Sequence, residues 1–330
     1  MRIGLDAMGG DKAPEVNVEG AILAVEEYNY TVVLIGNENI IKKELSARQY
    51  PKDKIEIVDA SQVIGMDEPA ALSVRKKRDS SIVIGASMIK EKKIDAFVSA
   101  GNTGAVVCAA TLSLRLLPGV DRPGIAVIFP TLNKPCMVID VGANIDPKPL
   151  HLLQYGIMGD AYSKHILKKP NPTVGLLNIG EESSKGTDFI REAHIMLNES
   201  ELNFVGNIEP KEVYRGKADV VVCDGFVGNV FLKVTEGFSE AASLLLKREL
   251  KQSSFITKFG AFLTLPAFKK IKKKIDASEY GGAPLMGVDG SVIIAHGSSN
   301  AKAIKNAVRA AAESVSQKVN LHVVEELQNF

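Results

Sequence analysis

Residues 218–237 read ADVVVCDGFVGNVFLKVTEG. An apolar run ending at Cys223 meets Asp224, Gly225, Gly228 and Asn229, and the pattern then resumes as an amphipathic segment. A short continuous apolar run closed by glycine is what a strand buried on both faces looks like, and such strands belong to parallel sheets. Comparable runs recur at 2–5, 31–35, 54–58, 96–99, 125–129, 136–139, 173–178, 203–206 and 292–295. Helical patterns lie between them. This alternation predicts an α/β protein with a largely parallel sheet, in which ligands bind beyond the carboxyl ends of the strands.

The loops after these strands are therefore where chemistry is sought. DAMGGD (6–11), SAGNTG (99–104), DVGANID (140–146), NIGEESSKGT (178–187), DGFVGN (224–229) and YGGAPLMG (280–287) are all rich in Gly, Asn and Asp. Glycine lets backbone N–H groups approach a ligand closely, and the first turn of a helix offers unpaired N–H groups to an anion. Gly101, Asn102, Thr103 and Gly104, with Gly225 and Gly228, thus read as phosphate or oxyanion cradles; tight βα turns with a packing role are the plainer reading of each. Counted from Asp95 and from Asp219, glycines fall six and nine residues later in both stretches. That is either a faint internal repeat or two turns solving one steric problem.

The 330 residues are 45% hydrophobic and 24% charged, enough for a large core in one two-lobed domain or two domains. Forty basic residues against 39 acidic ones give a net charge of +1, which argues against a dedicated nucleic-acid binder. The three cysteines, Cys108, Cys136 and Cys223, have no CxxC spacing, so neither a disulfide framework nor a zinc knuckle is suggested and a reducing, cytoplasmic setting fits. The first residues carry too short an apolar run for a signal peptide. Residues 96–114 contain no charge, yet Ser99, Gly101, Asn102, Thr103 and Gly104 occupy their first half. A strand, a glycine turn and a buried helix fit them better than a membrane span.

Several common machines are absent from the sequence. No two glycines stand two apart, so the G-x-G-x-x-G fingerprint does not occur, and in Gly180–Thr187 the lysine precedes the second glycine, unlike a P-loop. G-x-S-x-G and H-E-x-x-H are missing too. Among what remains, Lys185 beside Gly186 at a strand's carboxyl end suits phosphate binding or oxyanion stabilisation, against the common case of a solvated loop lysine. Asn229 is a substrate donor or, from spacing alone, the cap of a helix starting near Val230. Cys223 ends an apolar run and reads as a buried small hydrophobe more than a nucleophile. Arg75–Arg78, RKKR, is a solvated face or a seat for an acidic partner or phosphate.

Taken together, RIGLDAMGGDKAPE, EPAALSVRKKRDSSI, VSAGNTGA, DRPGIA, DVGANIDPKPLHLLQY, GLLNIGEESSKG, ADVVVCDGFVGNVFLKVTEG, YGGAPLMG and AHGSSN resemble the PlsX family of phosphate acyltransferases over nearly the whole chain. The resemblance implies that acyl-[acyl carrier protein] and inorganic phosphate give acyl phosphate and free carrier. A membrane glycerol-3-phosphate acyltransferase would consume the product downstream. It also implies a three-layer αβα sandwich like isopropylmalate dehydrogenase and phosphotransacetylase, a single two-lobed catalytic domain over 1–330, a homodimer, and no cofactor or metal. Carried over by motif, Lys185 and Asn229 are the implied catalytic residues. Gly101, Asn102, Thr103, Gly104, Gly186, Asp224, Gly225 and Gly228, read from the glycine-rich loops, are the expected phosphate- or substrate-binding set.

Residues 253–275, SSFITKFGAFLTLPAFKKIKKKI, hold four of the 12 phenylalanines and no acid. Phe255, Phe259 and Phe262, then Phe268, Ile271 and Ile275, recur at helical spacing, so two short amphipathic helices broken at Pro266 are expected. The family resemblance implies peripheral membrane contact there, through the phenylalanines and Lys269 and Lys270, on the inner face of the cell membrane. A dimer interface or an acyl-chain gate is the rival use. Two other readings stay open at this level. One is a metal- and nicotinamide-dependent hydroxyacid dehydrogenase using Asp140, Asp146, Asp219 and Asp224. The other is a non-catalytic scaffold that docks an acidic partner on 247–274, where nine basic residues face one acid.

Overall fold

The computed structural model of the chain describes residues 1–275 and 279–329, apart from the side chains of Phe268, Lys269 and 271–275. The expected contact at Lys269 and the apolar repeat through Phe268, Ile271 and Ile275 thus fall outside the described residues.

The amino-terminal half runs β1 (Arg2–Asp6), α1 (Glu15–Tyr28), β2 (Thr31–Gly36), α2 (Glu38–Ser46), β3 (Ile55–Asp59), α3 (Ala70–Lys76), α4 (Ser81–Lys90), β4 (Ala96–Ser99) and α5 (Thr103–Leu114). Next come β5 (Gly124–Phe129), β6 (Cys136–Ile139), α6 (Pro149–His165), β7 (Val174–Leu177), α7 (Asp188–Glu199), β8 (Phe204–Ile208), α8 (Pro210–Arg215) and β9 (Val220–Val222). The chain ends with α9 (Gly225–Gln252), α10 (Phe255–Ile275), β10 (Ala283–Met286), β11 (Ser291–Ile294), α11 (Ala301–Ser316) and α12 (Val319–Leu327). All ten apolar runs read from the sequence form strands. β10 is an addition, because its residues sit in the stretch taken for a glycine loop. Gly281, Gly282 and Gly287 adopt φ of 83°, 87° and 88° around it, so the glycines turn the chain at both ends of a strand too short to stand out.

One sheet holds all eleven strands in the order β3-β2-β1-β4-β11-β10-β5-β6-β9-β7-β8. Successive strand residues point to opposite faces. In β2, Val33 and Ile35 join a core shared with α4 and α5, whereas Val32 and Leu34 join another with α1 and α11. Beyond β5 the second face is covered by α6, α7 and α12, which bury Met137, Ile139, Val174, Leu176, Val220 and Val222. Helices on both faces make the three-layer αβα sandwich.

Direction along the sheet is not uniform. β3, β2, β1, β4 and β11 are mutually parallel, as are β6, β9, β7 and β8. Between the two sets lie three antiparallel pairings, β11–β10, β10–β5 and β5–β6. Three reversals turn the second set against the first, so the carboxyl ends of the two sets leave opposite edges of the sheet.

The expected pair of helices broken at Pro266 is replaced by one continuous helix, α10, with Pro266 inside it. Proline here costs the bond to the Phe262 carbonyl, which water can take over on an exposed helix. The hairpin is instead made by α9 and α10. In α9 only Gly225 and Gly228 are buried. Phe231 touches Phe129 and Tyr214 with ring centroids 5.2 and 5.5 Å apart, and beyond it the helix exposes Val234, Phe238 and Leu244–Leu246. Phe255, Ile256, Phe259, Phe262 and Leu263 are exposed on α10, and Lys270 is exposed as well. No helix among the described residues is long and apolar enough to cross a membrane.

Two helical glycines separate packing from propensity. A Cβ on Gly85 would sit 2.1 Å from the Phe97 ring, whereas one on Gly237 would meet nothing within 4 Å. Gly85→Ala is expected to lose about 1–3 kcal/mol by overpacking, and Gly237→Ala to gain about 0.5–1 kcal/mol. Urea midpoints at unchanged m-value are the measurement; equal shifts for both would contradict the packing of α4 on β4.

Candidate functional site

Three strand-end loops share the edge set by β6, β9 and β7. The first is built on Asp140, fully buried just after β6. Its carboxylate accepts hydrogen bonds from the backbone N–H groups of Ile125 (3.0 Å), Gly142 (2.9 Å), Ala143 (2.9 Å) and Asn144 (2.7 Å). Burial pushes its pKa up while those four donors pull the other way. Asn144 is fixed in turn, its side-chain amide donating to the Tyr155 hydroxyl at 2.7 Å. The sequence reading considered Asp140 only as a metal ligand and missed this organising role, because nothing local reveals that four backbone N–H groups converge on it.

The second loop starts α9. Asp224 is its cap, accepting from the N–H groups of Phe226 and Val227 at 3.0 and 2.9 Å. Asn229 is thereby corrected: the helix begins at Gly225, so Asn229 lies in its second turn and caps nothing. Its side chain is exposed, lies beside Gly142, and has no hydrogen-bond partner among the described residues. Gly225 and Gly228 are corrected as well. Each is buried, and a Cβ would lie 2.5 Å from the Asn144 oxygen at Gly225 and 1.9 Å from the Asp140 oxygen at Gly228. The space left by their missing side chains is filled by the Asp140 loop, not held open for phosphate.

The third loop, 178–187, follows β7. Asn178 donates to the Lys185 carbonyl at 3.2 Å and Asn207 to the Glu182 carbonyl at 2.8 Å. Gly186 has φ 88°, with a hypothetical Cβ 2.9 Å from Ile190, so glycine is required on both counts. Thr187 then caps α7. Lys185 is exposed, and its ammonium has no ion-pair partner among the described residues, since Glu181 pairs with Lys217 at 3.1 Å. Lys185 and Asn229 therefore project from adjacent strands, β7 and β9, at one edge.

GNTG does not join them within one chain. It leaves β4, in the first parallel set, and so stands at the opposite edge. Asp6 there mirrors Asp140: it is buried at the end of β1, accepts from Ser99 Oγ at 2.7 Å and from the Met8 N–H at 3.0 Å, and burial raises its pKa. Gly101 packs against it. The matching glycine spacing after Asp95 and Asp219 thus has one steric cause, a glycine turn lying on a buried carboxylate at the end of the neighbouring strand. Asn102 is committed to structure, because its oxygen caps α5 through the Ala105 N–H and its NH2 group donates to the carbonyls of Gly65, Met66 and Glu68. Thr103 and Gly104 remain exposed at the helix start.

The cysteines behave as hydrophobes. Cys223 is buried, donates to the Asp140 carbonyl at 3.2 Å, and has its pKa raised by burial; burial pushes the Cys136 thiol up to about 12. The carboxylates of the dehydrogenase reading are dispersed: Asp140 and Asp224 serve backbone N–H groups, and Asp219 pairs with Lys169 at 2.6 Å. No group of three or more His, Cys, Asp or Glu side chains among the described residues is arranged to hold a metal.

Comparison with known proteins agrees with this architecture. A family profile described as fatty acid synthesis protein matches residues 1–322. A phosphate acyltransferase of Geotalea daltonii is 48% identical over 328 residues, 99% of this chain and 94% of that one. One from Dictyoglomus turgidum is 49% identical over 332 residues, 100% and 98% of the two chains. Among solved structures, a phosphotransacetylase from Streptococcus pyogenes superposes with a TM-score of 0.66 at 18% identity, covering 96% of this chain and 94% of that one, and shares the fold.

The loop held by Asn102 yields a pH prediction. Glu68 accepts from Lys77, the Gly65 N–H and Ser73, and these bonds lower its pKa from 4.5 to about 2. A folded-state pKa below the unfolded one means that the stabilisation is complete above pH 4.5 and is lost as pH falls through about 2. Stability of the wild type should fall across that window more steeply than that of Glu68→Gln. Parallel acid-unfolding curves for the two proteins would refute the assignment.

Proposed function

The chain belongs to the fatty acid synthesis protein family and is a phosphate acyltransferase; on that premise we propose that phosphate attacks the acyl carrier protein thioester directly, served by Lys185 and Asn229. The reaction converts acyl-[acyl carrier protein] and inorganic phosphate into acyl phosphate and free carrier. A phosphate oxygen forms the bond to the carbonyl carbon, and the carbonyl electron pair moves to oxygen. Its return expels the carrier's thiolate, a fair leaving group with a thiol pKa of about 8.5. Lys185 supplies a positive charge for phosphate, and the Asn229 amide donates to substrate or to the developing oxyanion.

The observation that carries this reading is that Asn229 is released from capping by Asp224 and stands, unpartnered among the described residues, on the same edge as the unpaired Lys185. Lys185→Ala and Asn229→Ala are expected to lose about 2.7–4 kcal/mol of transition-state stabilisation each, as for a lost oxyanion donor. Acyl-phosphate formation with purified carrier measures this, and wild-type turnover in both folded variants would refute it. Replacing Cys108, Cys136 and Cys223 together by Ala should leave transfer intact, whereas an acyl-enzyme trapped on any of them would overturn direct attack.

The opposite polarity of the two strand sets supports a homodimer with a functional purpose. Thr103 and Gly104 can meet Lys185 and Asn229 only if a second copy lays its GNTG edge against this one, which a two-fold pairing does twice. The two parallel sets, joined through β10 and β5, are the two lobes of one catalytic unit.

The α9–α10 hairpin is the membrane-contacting element in this reading, supported by exposed Phe255, Phe259 and Phe262 with Lys270 further along. A basic residue near an anionic bilayer contributes roughly 1 kcal/mol. Phe255→Ser/Phe259→Ser is expected to abolish co-sedimentation with phosphatidylglycerol vesicles while transfer in solution persists. Unchanged sedimentation would assign the hairpin to another surface.

A further inference from the structure

The basic run at the end of α3 is divided by the fold. Lys77 turns inward, its ammonium donating to the Val63 carbonyl at 2.7 Å and pairing with Glu68. Arg75, Lys76 and Arg78 are exposed, and no carboxylate pairs with them among the described residues. Leu72, one turn earlier, keeps 51% of its surface exposed, and Leu112 on the adjoining α5 keeps 59%. Burial raises the pKa of Cys108, one helical turn before Leu112, and Arg75 lies near enough to offset part of that rise. Arg78 also lines a cavity together with Val58, Ile84, Met88, Glu91 and Lys93. The result is two exposed leucines rimmed by cations on a protein whose overall charge is close to zero.

This surface is also held in place. The Asn102 amide grips the 65–68 segment that leads into α3, and Gly104 packs on Ala70. A partner seated on α3 is thus set in fixed register with the exposed start of α5. A lysine anchored by an ion pair next to three unpaired cations gives a preformed patch, which steers an oppositely charged partner and raises its association rate.

We propose that this face, Arg75, Lys76 and Arg78 around Leu72 and Leu112, is the docking surface for the acidic acyl carrier protein. The inference rests on the carrier-dependent reaction proposed above. Cations meet the carrier's acidic surface, and the leucines bury apolar area at the centre of the contact. Docking is separate from chemistry, so its loss acts on the carrier's apparent affinity alone.

The test compares two acyl donors, acyl-[acyl carrier protein] and the carrier-free thioester acyl-pantetheine, with Arg75→Glu/Arg78→Glu in the full-length chain. The KM for the carrier substrate should rise about tenfold or more, with kcat unchanged and acyl-pantetheine turnover within about twofold of wild type. The gap from wild type should shrink as salt is raised, because exposed charges are screened. A carrier KM that stays within twofold of wild type overturns the proposal. So does an equal loss with both donors, or a rise in carrier KM in Lys270→Glu but not in the α3 variant. Failure of the wild type to acylate phosphate from either donor would instead bring down the reaction on which the proposal rests. Lys76→Ala, which leaves the helix composition almost untouched, gives a second reading with a smaller KM rise if the double reversal does not fold.

Discussion

Strand direction reverses at β11–β10, β10–β5 and β5–β6, and the placement of every functional loop follows from those pairings. A wholly parallel sheet would send all its βα loops to one edge, and GNTG, the Lys185 loop and Asn229 would crowd together there. With an odd number of reversals they divide into two groups at opposite edges. In the proposed reading each group is half of a site, and a second copy related by a two-fold axis unites the halves.

Within each half, a buried carboxylate organises the loops. Taking Asp140 or Asp6 out of water is costly, and the cost is offset by several backbone and hydroxyl donors. That need for donors curls the following chain around the carboxylate. Glycines from the neighbouring strand's turn then close over it, because a Cβ at Gly225 or Gly101 would press on Asp140 or Asp6. The bareness of these turns is therefore chiefly a packing requirement, and it leaves Asn229 and Thr103 standing at the rim with their side chains outward. In the proposed chemistry, rim groups touch the substrate and buried groups hold them still.

The hairpin follows a different logic. α9 is anchored through its first three turns, by Gly225, Gly228, the Phe231 contacts and the hydrogen bond between Thr235 and Tyr214. Beyond them Phe238 and Leu244–Leu246 of α9, and Phe255, Ile256, Phe259, Phe262 and Leu263 of α10, stay exposed. An exposed apolar surface of this extent marks an interaction site. The basic patch on α3 is distinct from it in position and in chemistry, so the proposed membrane contact and the proposed carrier docking use separate surfaces.

The strands, the alternation with helices and the absence of common nucleotide and hydrolase motifs were legible in the sequence, since each depends on residues close along the chain. Short-range patterning reveals a strand such as Val220–Val222 because both its faces must be apolar wherever it sits in the sheet. Its family motifs singled out Lys185 and Asn229. Strand direction, by contrast, is a property of neighbours far apart in sequence, and β10, flanked by three glycines, was read as a loop. Spacing made Asn229 a cap, and only the bond geometry at Asp224 released it. Asn102 looked free for a ligand until tertiary contact with residues 65–68 claimed its amide. The sequence by itself determined ten of the eleven strands and which side chains are chemically able. The tertiary structure alone decided which of those side chains remain unsatisfied and on which edge they stand, because hydrogen-bond satisfaction and strand polarity are settled between segments the chain brings together only on folding.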